Sequence, residues 1–208
     1  MTNDQMKSVH EDIAYMRALA HEGKHAPLLA GPILVTAAFV FGIANLGQWA
    51  LLSGVITASP WAPLWLWIGA GVVFTLALLM LIGRMKGKPG CNSAGNRAVG
   101  AAWSAVGIGI FATWLGLMAM GFKTGNWSMM NVMPIVVFVA YGSAWMIAGA
   151  MTGVRWMTAV AVLSFAGAIA VGWFADGAGL YLVFTAVLFL VAFVPGLILM
   201  RQEPSEIV

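Results

Sequence analysis

The sequence predicts an all-α integral membrane protein, a bundle of six transmembrane helices preceded by a short cytoplasmic amphipathic helix. Three observations support this fold class. Of the 208 residues, 62% are hydrophobic and only 8% are charged, whereas soluble domains carry about 25% charged residues. The apolar residues form continuous runs, unlike the short alternating segments of a β-barrel. No charged side chain occurs between Lys24 and Arg84, a tract long enough for two spans of about 20 residues each.

Residues 1–26 are predicted to form the cytoplasmic amphipathic helix and a linker. Their apolar residues recur at helical spacing and would share one face of a helix: Met6, Val9, Ile13, Met16 and Ala20. Acidic and basic residues both occur in this segment and it lacks an apolar core, so it does not resemble a cleaved signal peptide. The first membrane span must then act as its own insertion signal.

The membrane domain is predicted to cover residues 27–200 as six spans separated by turn-forming or charged segments. A cluster of Gly, Ser and Pro residues around positions 53–63 separates the first two spans. A basic, glycine-rich loop at 84–97 separates the second span from the third. The predicted spans are 27–52, 61–83, 98–121, 131–152, 156–175 and 180–200, and a short cytoplasmic tail follows at 201–208.

The distribution of basic residues predicts the orientation. If the loop at 84–97 is cytoplasmic, nine of the ten Lys and Arg residues lie inside and only Lys123 lies outside, as the positive-inside rule requires. We therefore expect a protein of the bacterial cytoplasmic (inner) membrane with both termini in the cytoplasm. The predicted topology anchors are the basic residues of two cytoplasmic connections: Arg84, Lys86, Lys88, Arg97 and Arg155.

The same charges argue against nucleic acid as a partner. The net charge is +3, but the basic residues cluster beside predicted spans and form no basic stripe with interleaved aromatic residues. The lipid bilayer is the expected environment. A second copy of the chain and another membrane protein are the expected kinds of protein partner.

No catalytic site is predicted. Serines are plentiful, but no histidine or acidic residue lies centrally in a predicted span to activate one. The same lack of a central acidic residue argues against a proton pump or an ion-coupled carrier. Asp176 is a weak candidate acid, because it belongs to an Asp-Gly turn at the end of the fifth span.

No metal site or cofactor is predicted either. His21 and His25 have the spacing of a helical ligand pair, and His10 would lie on nearly the same face. However, Gly23 interrupts the pair, and zinc normally needs three or four convergent ligands. Solvated surface histidines are the preferred interpretation.

Asn45 and Gln48 are the candidate polar residues of the membrane domain. They stand three positions apart and therefore share one face of the first helix. They either line a polar cavity towards the outer leaflet or hydrogen-bond to a neighbouring helix. Amide hydrogen bonds of the second kind are common in membrane bundles, which favours that interpretation.

Small residues recur every four positions on the third and fifth spans. Such faces let helix backbones approach closely where lipid supplies no hydrophobic drive, so they predict packing surfaces inside one chain or between chains. The residues are Ala101, Ala105, Gly109 and Thr113 on the third span and Ser164, Ala168 and Gly172 on the fifth. Pro195, in Val-Pro-Gly, marks the strongest expected helix break.

A weak internal repeat occurs at an offset of 102 residues. The stretch 32–35 (Pro-Ile-Leu-Val) aligns with 134–137 (Pro-Ile-Val-Val), and Phe39 aligns with Tyr141. If the repeat is real, the first three spans and the last three would be related by inverted topology, as in several carriers. The alternative is chance similarity between apolar helices that share a small alphabet.

These observations lead to three functional hypotheses. The first is a polytopic membrane protein that is not an enzyme and serves as an accessory, regulatory or assembly component. The second is a small carrier or channel for a neutral or lipid-like solute, built on the three-plus-three repeat. The third is a membrane enzyme that uses the histidines of the N-terminal segment.

Overall fold

A computed structural model describes residues 28–88 and 90–202, together with His10, Asp12 and Ile13. All regular secondary structure in these residues is helical, and six helical segments are long and apolar enough to cross a membrane. The all-α fold class with six such segments is therefore confirmed. The predicted amphipathic helix within residues 1–26 lies outside the described residues apart from three positions. Residues 203–208 of the predicted tail also lie outside them.

The helices follow one another with short connections. A single turn of 3₁₀-helix precedes α4, and a π-helical turn joins α6 to α7, so that α6 and α7 form one continuous sixth segment. The helices are α1 (Gly31–Leu52), α2 (Ala62–Met85), α3 (Ala94–Thr124), the 3₁₀ turn (Ser128–Val132), α4 (Met133–Thr152), α5 (Arg155–Trp173), α6 (Gly179–Leu188), the π turn (Phe189–Phe193) and α7 (Val194–Gln202).

The starts of α1 and α3 differ most from the predicted boundaries. α1 begins at Gly31, four residues after the predicted start of the first span. α3 begins at Ala94, four residues before the predicted span, so the last residues of the expected basic loop form its first turn. The reason is Ser93, whose extended backbone and side chain cap the helix: its Oγ accepts from the backbone N–H of Asn96 at 3.2 Å. At the other end, Gly125 adopts φ 72° and terminates α3 in a left-handed cap.

Four helical segments form the centre of the bundle: α1, α4, α5 and the sixth segment. α4 and α5 share the most extensive contact, and α1 packs along the whole sixth segment. α2 lies against α1, and α3 lies against α4. Each helical segment can be compared over its own most apolar 18-residue stretch. Within that stretch, 44% of the residues are buried in α1 and in the segment that contains α4, 6% are buried in α3 and none in α2. Helices α2 and α3 are therefore peripheral.

Successive helices run in opposite directions and give the bundle two distinct ends. At the basic end, which carries the α2–α3 loop, the Leu29 backbone N–H donates to Asn96 Oδ1 at 3.1 Å and joins the start of α1 to the start of α3. At the opposite end, Asn131 Nδ2 donates to the Ala175 carbonyl at 2.8 Å and joins the α3–α4 and α5–α6 connections.

The aligned halves of the weak repeat occupy different environments. Pro32 and Pro134 are each the second residue of their helix, which agrees with the alignment. However, Phe39 is 56% exposed whereas Tyr141, its aligned residue, is only 7% exposed. The connection after α1 covers residues 53–61, but the connection after α4 is only Gly153 and Val154. The two halves therefore agree in the position of the proline and differ in exposure and in the length of the following connection.

Candidate functional site

A cluster of polar side chains lies between α1, α2, α6 and the 3₁₀ turn, near the end of the bundle opposite the basic end. We call this the polar cluster, and its members are Asn45, Gln48, Trp67, Asn131 and Tyr181. Asn45 is fully buried, and Gln48 and Tyr181 are buried. Asn45 and Gln48, the two polar residues singled out in the sequence, thus do lie on a buried face of α1.

Two sets of hydrogen bonds join members of the polar cluster. Gln48 Oε1 accepts from Trp67 Nε1 at 3.2 Å and so joins α1 to α2. The Tyr181 hydroxyl of α6 donates to Asn131 Oδ1 of the 3₁₀ turn at 3.4 Å. Asn131 Nδ2 in turn donates to the Ala175 carbonyl in the connection before α6.

Asn45 is bonded differently from Gln48. Its Nδ2 donates to the Phe41 carbonyl of its own helix at 2.7 Å. Its Oδ1 is buried and has no hydrogen-bond partner within the part of the chain that the structure describes. The short contact to the Phe41 carbonyl determines which end of the amide carries the hydrogens, because two oxygens at that distance would repel. The unpaired atom is therefore an acceptor.

Aromatic rings cover the α2 side of the cluster. The Phe41 ring stacks against Trp67 with centroids 6.5 Å apart and tilts against Phe74 at 5.1 Å. The polar groups are therefore enclosed by apolar surface. The cluster contains amides, an indole and a phenol, and no carboxylate, imidazole or thiol. Such groups can bind a neutral polar group, but they supply no nucleophile and no general base that works near neutral pH.

The remaining candidate acid and ligands do not join this cluster. Asp176 is exposed in the turn between α5 and α6. His10 is exposed, and His21 and His25 lie outside the described residues. Among the described residues, no group of three or more His, Cys, Asp and Glu side chains could hold a metal ion.

The predicted topology anchors lie in or beside the two connections at the basic end. All are exposed except Lys88, which is half-buried. Arg84 lies in the last turn of α2, Arg97 lies in the first turn of α3 and Arg155 begins α5. Arg201, near the end of α7, belongs to the same end, whereas Lys123 lies in the last turn of α3 at the opposite end.

Asn96 is a structural residue that the sequence analysis missed. Besides accepting from Leu29, it donates through Nδ2 to the Gly90 carbonyl at 3.1 Å and to Ser93 Oγ at 3.3 Å. It therefore holds the α2–α3 loop against the start of α1. The signal in the sequence is the Ser-x-x-Asn spacing, which resembles the reciprocal capping of helix starts.

Trp145 is a second residue that the sequence analysis missed, and it explains the π turn. Pro195 has no backbone N–H, so the Val191 carbonyl four residues earlier loses its usual helical partner. The backbone widens there into the π turn, and the buried Trp145 indole of α4 donates to the Val191 carbonyl at 2.9 Å. The helix break expected at Pro195 is therefore a π turn without a free carbonyl, because the Trp145 side chain replaces the missing backbone N–H as the donor to Val191.

The two faces of small residues have different surroundings. On α5, Ser164 and Ala168 are buried, and a Cβ added to the neighbouring Gly167 would clash with Val187 of α6. On α3, Ala101, Ala105 and Gly109 are exposed. Five α3 glycines have open space where a Cβ would be, with no atom within 4 Å among the described residues: Gly95, Gly100, Gly107, Gly109 and Gly116.

Comparisons with protein-family models, curated proteins and solved structures find no match to this chain.

Proposed function

We propose that the chain is an integral protein of the bacterial cytoplasmic membrane with both termini in the cytoplasm. The support is the concentration of basic residues at one end of six apolar helical segments, which the positive-inside rule associates with the cytoplasm. Asn126, exposed in the loop after α3, lies at the opposite end.

The single cysteine provides the test of orientation. Cys91 lies half-buried in the α2–α3 loop, so a membrane-impermeant maleimide should label it in inverted vesicles and not in intact spheroplasts. A Cys91→Ser, Asn126→Cys variant is the matched control and should show the opposite pattern. Labelling of Cys91 in intact spheroplasts would contradict the orientation.

We propose further that the protein is a non-catalytic accessory or assembly component that binds another membrane protein. The observation that carries this proposal is the exposed small-residue face of α3. Glycine within a helix costs about 0.5–1 kcal/mol relative to alanine, and the open α3 glycines recover none of that cost through contacts in the described chain. Small residues on a membrane helix are most useful where a second helix approaches closely.

The proposed partner is a transmembrane helix of a different protein, packed against α3. Helix α3 is suited to this role because the described part of its own chain covers it mainly along the side that faces α4. It is also long, with 31 residues. The charged residues of α3 lie near its ends, at Arg97 and Lys123. The exposed middle is uncharged, as expected of a surface that meets an apolar helix.

Site-specific photocrosslinking in native membranes tests this proposal. A benzophenone amino acid is placed at Ile108 on α3, and the control is the same replacement at Ile169 on α5. The two isoleucines are 70% and 77% exposed, so exposure alone predicts equal yields. We expect one discrete protein adduct from position 108 and only lipid adducts from position 169. Equal yields, or an adduct with the mass of two copies of this chain, would overturn the proposal of a different partner.

The polar cluster favours a second candidate function, a small carrier or channel for a neutral or lipid-like solute. Its support is the buried amide pair on α1, which lies among apolar helices and has an unpaired acceptor. Proteoliposomes containing NBD-labelled phosphatidylcholine and quenched with dithionite provide the test. A rate of lipid transfer equal to that of empty liposomes would contradict lipid transport.

A further inference from the structure

The last three turns of α2 carry an exposed apolar strip that ends in a cation. Val73, Leu76 and Met80 are 55%, 54% and 65% exposed, and Arg84 follows one turn after Met80. Because residues three or four positions apart are neighbours on a helix surface, these four side chains share one face. We call this face the α2 strip. It is about 16 Å long, about half of the roughly 30 Å hydrocarbon core of a bilayer.

The described part of the chain leaves the α2 strip open. α2 contacts α1 through other side chains: Trp67 donates to Gln48, and the Phe74 ring lies against Phe41. In a membrane, the exposed apolar side chains of the strip therefore face lipid. A hydrocarbon chain of one leaflet has about the length of the strip and can lie along it.

The cation at the end of the strip has no anion of its own chain beside it. Arg84 is exposed, and its side chain forms no ion pair in the described part of the chain. Lys86 is also exposed, two residues later. No acidic residue occurs in the sequence between Glu22 and Asp176, and Asp176 lies at the opposite end of the bundle. This end of α2 therefore attracts an anionic headgroup more strongly than one that also carries an ammonium group.

We propose that the α2 strip binds an anionic phospholipid. Arg84 donates charge-assisted hydrogen bonds to the phosphate oxygens, and an acyl chain lies along Val73, Leu76 and Met80. The occupant is a lipid and not free phosphate, because only a lipid meets both the cation and the apolar side chains. This site is independent of α3, of the partner proposed for it and of the orientation of the chain.

The test compares two photoreactive phospholipids that differ only in the headgroup. Purified full-length protein in phosphatidylcholine nanodiscs receives a trace of phosphatidylglycerol or of phosphatidylcholine with a diazirine in one acyl chain. Mass spectrometry then measures the labelling of residues 62–85. We expect the anionic lipid to label this segment at least about fivefold more strongly, which is the factor that one basic residue near the surface gives. Equal labelling by the two lipids would overturn the proposal.

Substitutions of Arg84 locate the effect. Arg84→Gln should reduce labelling by phosphatidylglycerol about fivefold and leave labelling by phosphatidylcholine unchanged, whereas Arg84→Lys keeps the charge and should retain most of the preference. Lys123→Gln is the matched control, because it removes one exposed positive charge at the opposite end of the bundle. Equal reductions by Arg84→Gln and Lys123→Gln would contradict the site, since net charge alone would then attract the lipid. If Arg84→Gln fails to fold, the wild-type comparison of the two lipids still decides.

Inorganic phosphate distinguishes a lipid site from a site for the free anion. Excess phosphate, compared with chloride at the same ionic strength, should leave labelling by phosphatidylglycerol unchanged, because the free anion makes no contact with the apolar part of the strip. A loss of labelling specific to phosphate would show that Arg84 binds the free anion, and the assignment to a lipid would be wrong.

Discussion

Helices α3 and α5 carry the same pattern of small residues, yet one face is buried and the other is exposed. On α5 the pattern lies under α4 and α6, where Ser164 and Ala168 are buried. On α3 the corresponding residues, Ala101, Ala105 and Gly109, are exposed. The comparison teaches that small residues at helical spacing indicate a close helix contact without indicating which chain supplies the second helix.

The connections explain the difference. α4 and α5 are joined by Gly153 and Val154 alone, so α5 must fold back along α4, and Gly153 allows the turn with φ 73°. α3 instead follows a longer loop and packs mainly against α4. A short connection therefore gives α5 a neighbour on each side, and α3 keeps one side open.

The largest expected effect on stability comes from adding a side chain to the buried face of α5. Gly167→Val would place a side chain against Val187, where even a Cβ would clash. Overpacking of this kind costs about 1–3 kcal/mol or more, and we expect a clearly lower midpoint of thermal unfolding in detergent. Tryptophan fluorescence measures it. An unchanged midpoint would mean that α5 and α6 are not in close contact.

A comparable effect is expected where α4 supports the sixth segment. Trp145→Phe keeps an aromatic ring but removes the donor to the Val191 carbonyl, at a cost of about 1–3 kcal/mol. Pro195→Ala restores a backbone N–H that can satisfy the same carbonyl, so the double variant should recover most of the loss. Trp156→Phe, which alters a half-buried ring packed on Trp145, is the control. If Trp145→Phe lowered stability equally in the wild-type background and in the Pro195→Ala background, the assigned role of Trp145 would be refuted.

A smaller effect is expected at the contact between central α1 and peripheral α2. Trp67→Phe preserves the stack on Phe41 and removes the hydrogen bond to Gln48. Bonds of this kind between membrane helices contribute about 0.6–2 kcal/mol. We expect a modest decrease in the unfolding midpoint, measured as above. A loss as large as that of Gly167→Val would show that α2 belongs to the core.

The smallest effect on stability is expected on the exposed side. Gly109→Val introduces a side chain into open space, so the free energy of unfolding of the purified chain should stay within about 0.5 kcal/mol of the wild-type value. The same variant should suppress the protein crosslink from position 108, because the added bulk separates two closely packed helices. Retention of the crosslink would place the partner elsewhere.

More of the fold than of the site could be predicted from the sequence. Continuous apolar runs interrupted by turn-forming or basic segments were sufficient for six helical segments, because each segment satisfies its backbone hydrogen bonds internally. The start of α3 was less predictable, since Ser93 draws nominal loop residues into the helix. For the site, spacing placed Asn45 and Gln48 on one face of α1, but Trp67, Asn131 and Tyr181 come from distant parts of the chain.

The roles of Trp145 and Asn96 show why the remainder could not be predicted. Trp145 lies in an apolar run like many other tryptophans, and its hydrogen bond depends on Pro195, fifty residues later. Asn96 lies within the loop that the sequence predicts, and only the structure shows that it accepts from the backbone N–H of Leu29. Both residues hydrogen-bond to a backbone group in another part of the chain. The sequence can indicate that a backbone group lacks its usual helical partner, but it does not indicate which distant side chain replaces that partner.

By itself, the sequence determined the helical character of this protein, the number of its apolar segments and the concentration of basic charge at one end. These properties follow from composition and local spacing, because a helix forms its hydrogen bonds within a few residues. The tertiary structure decided which of two equivalent small-residue faces is covered and which amide keeps an unpaired oxygen. Those outcomes depend on which helices become neighbours, and neighbours are chosen by connections and packing across the whole chain.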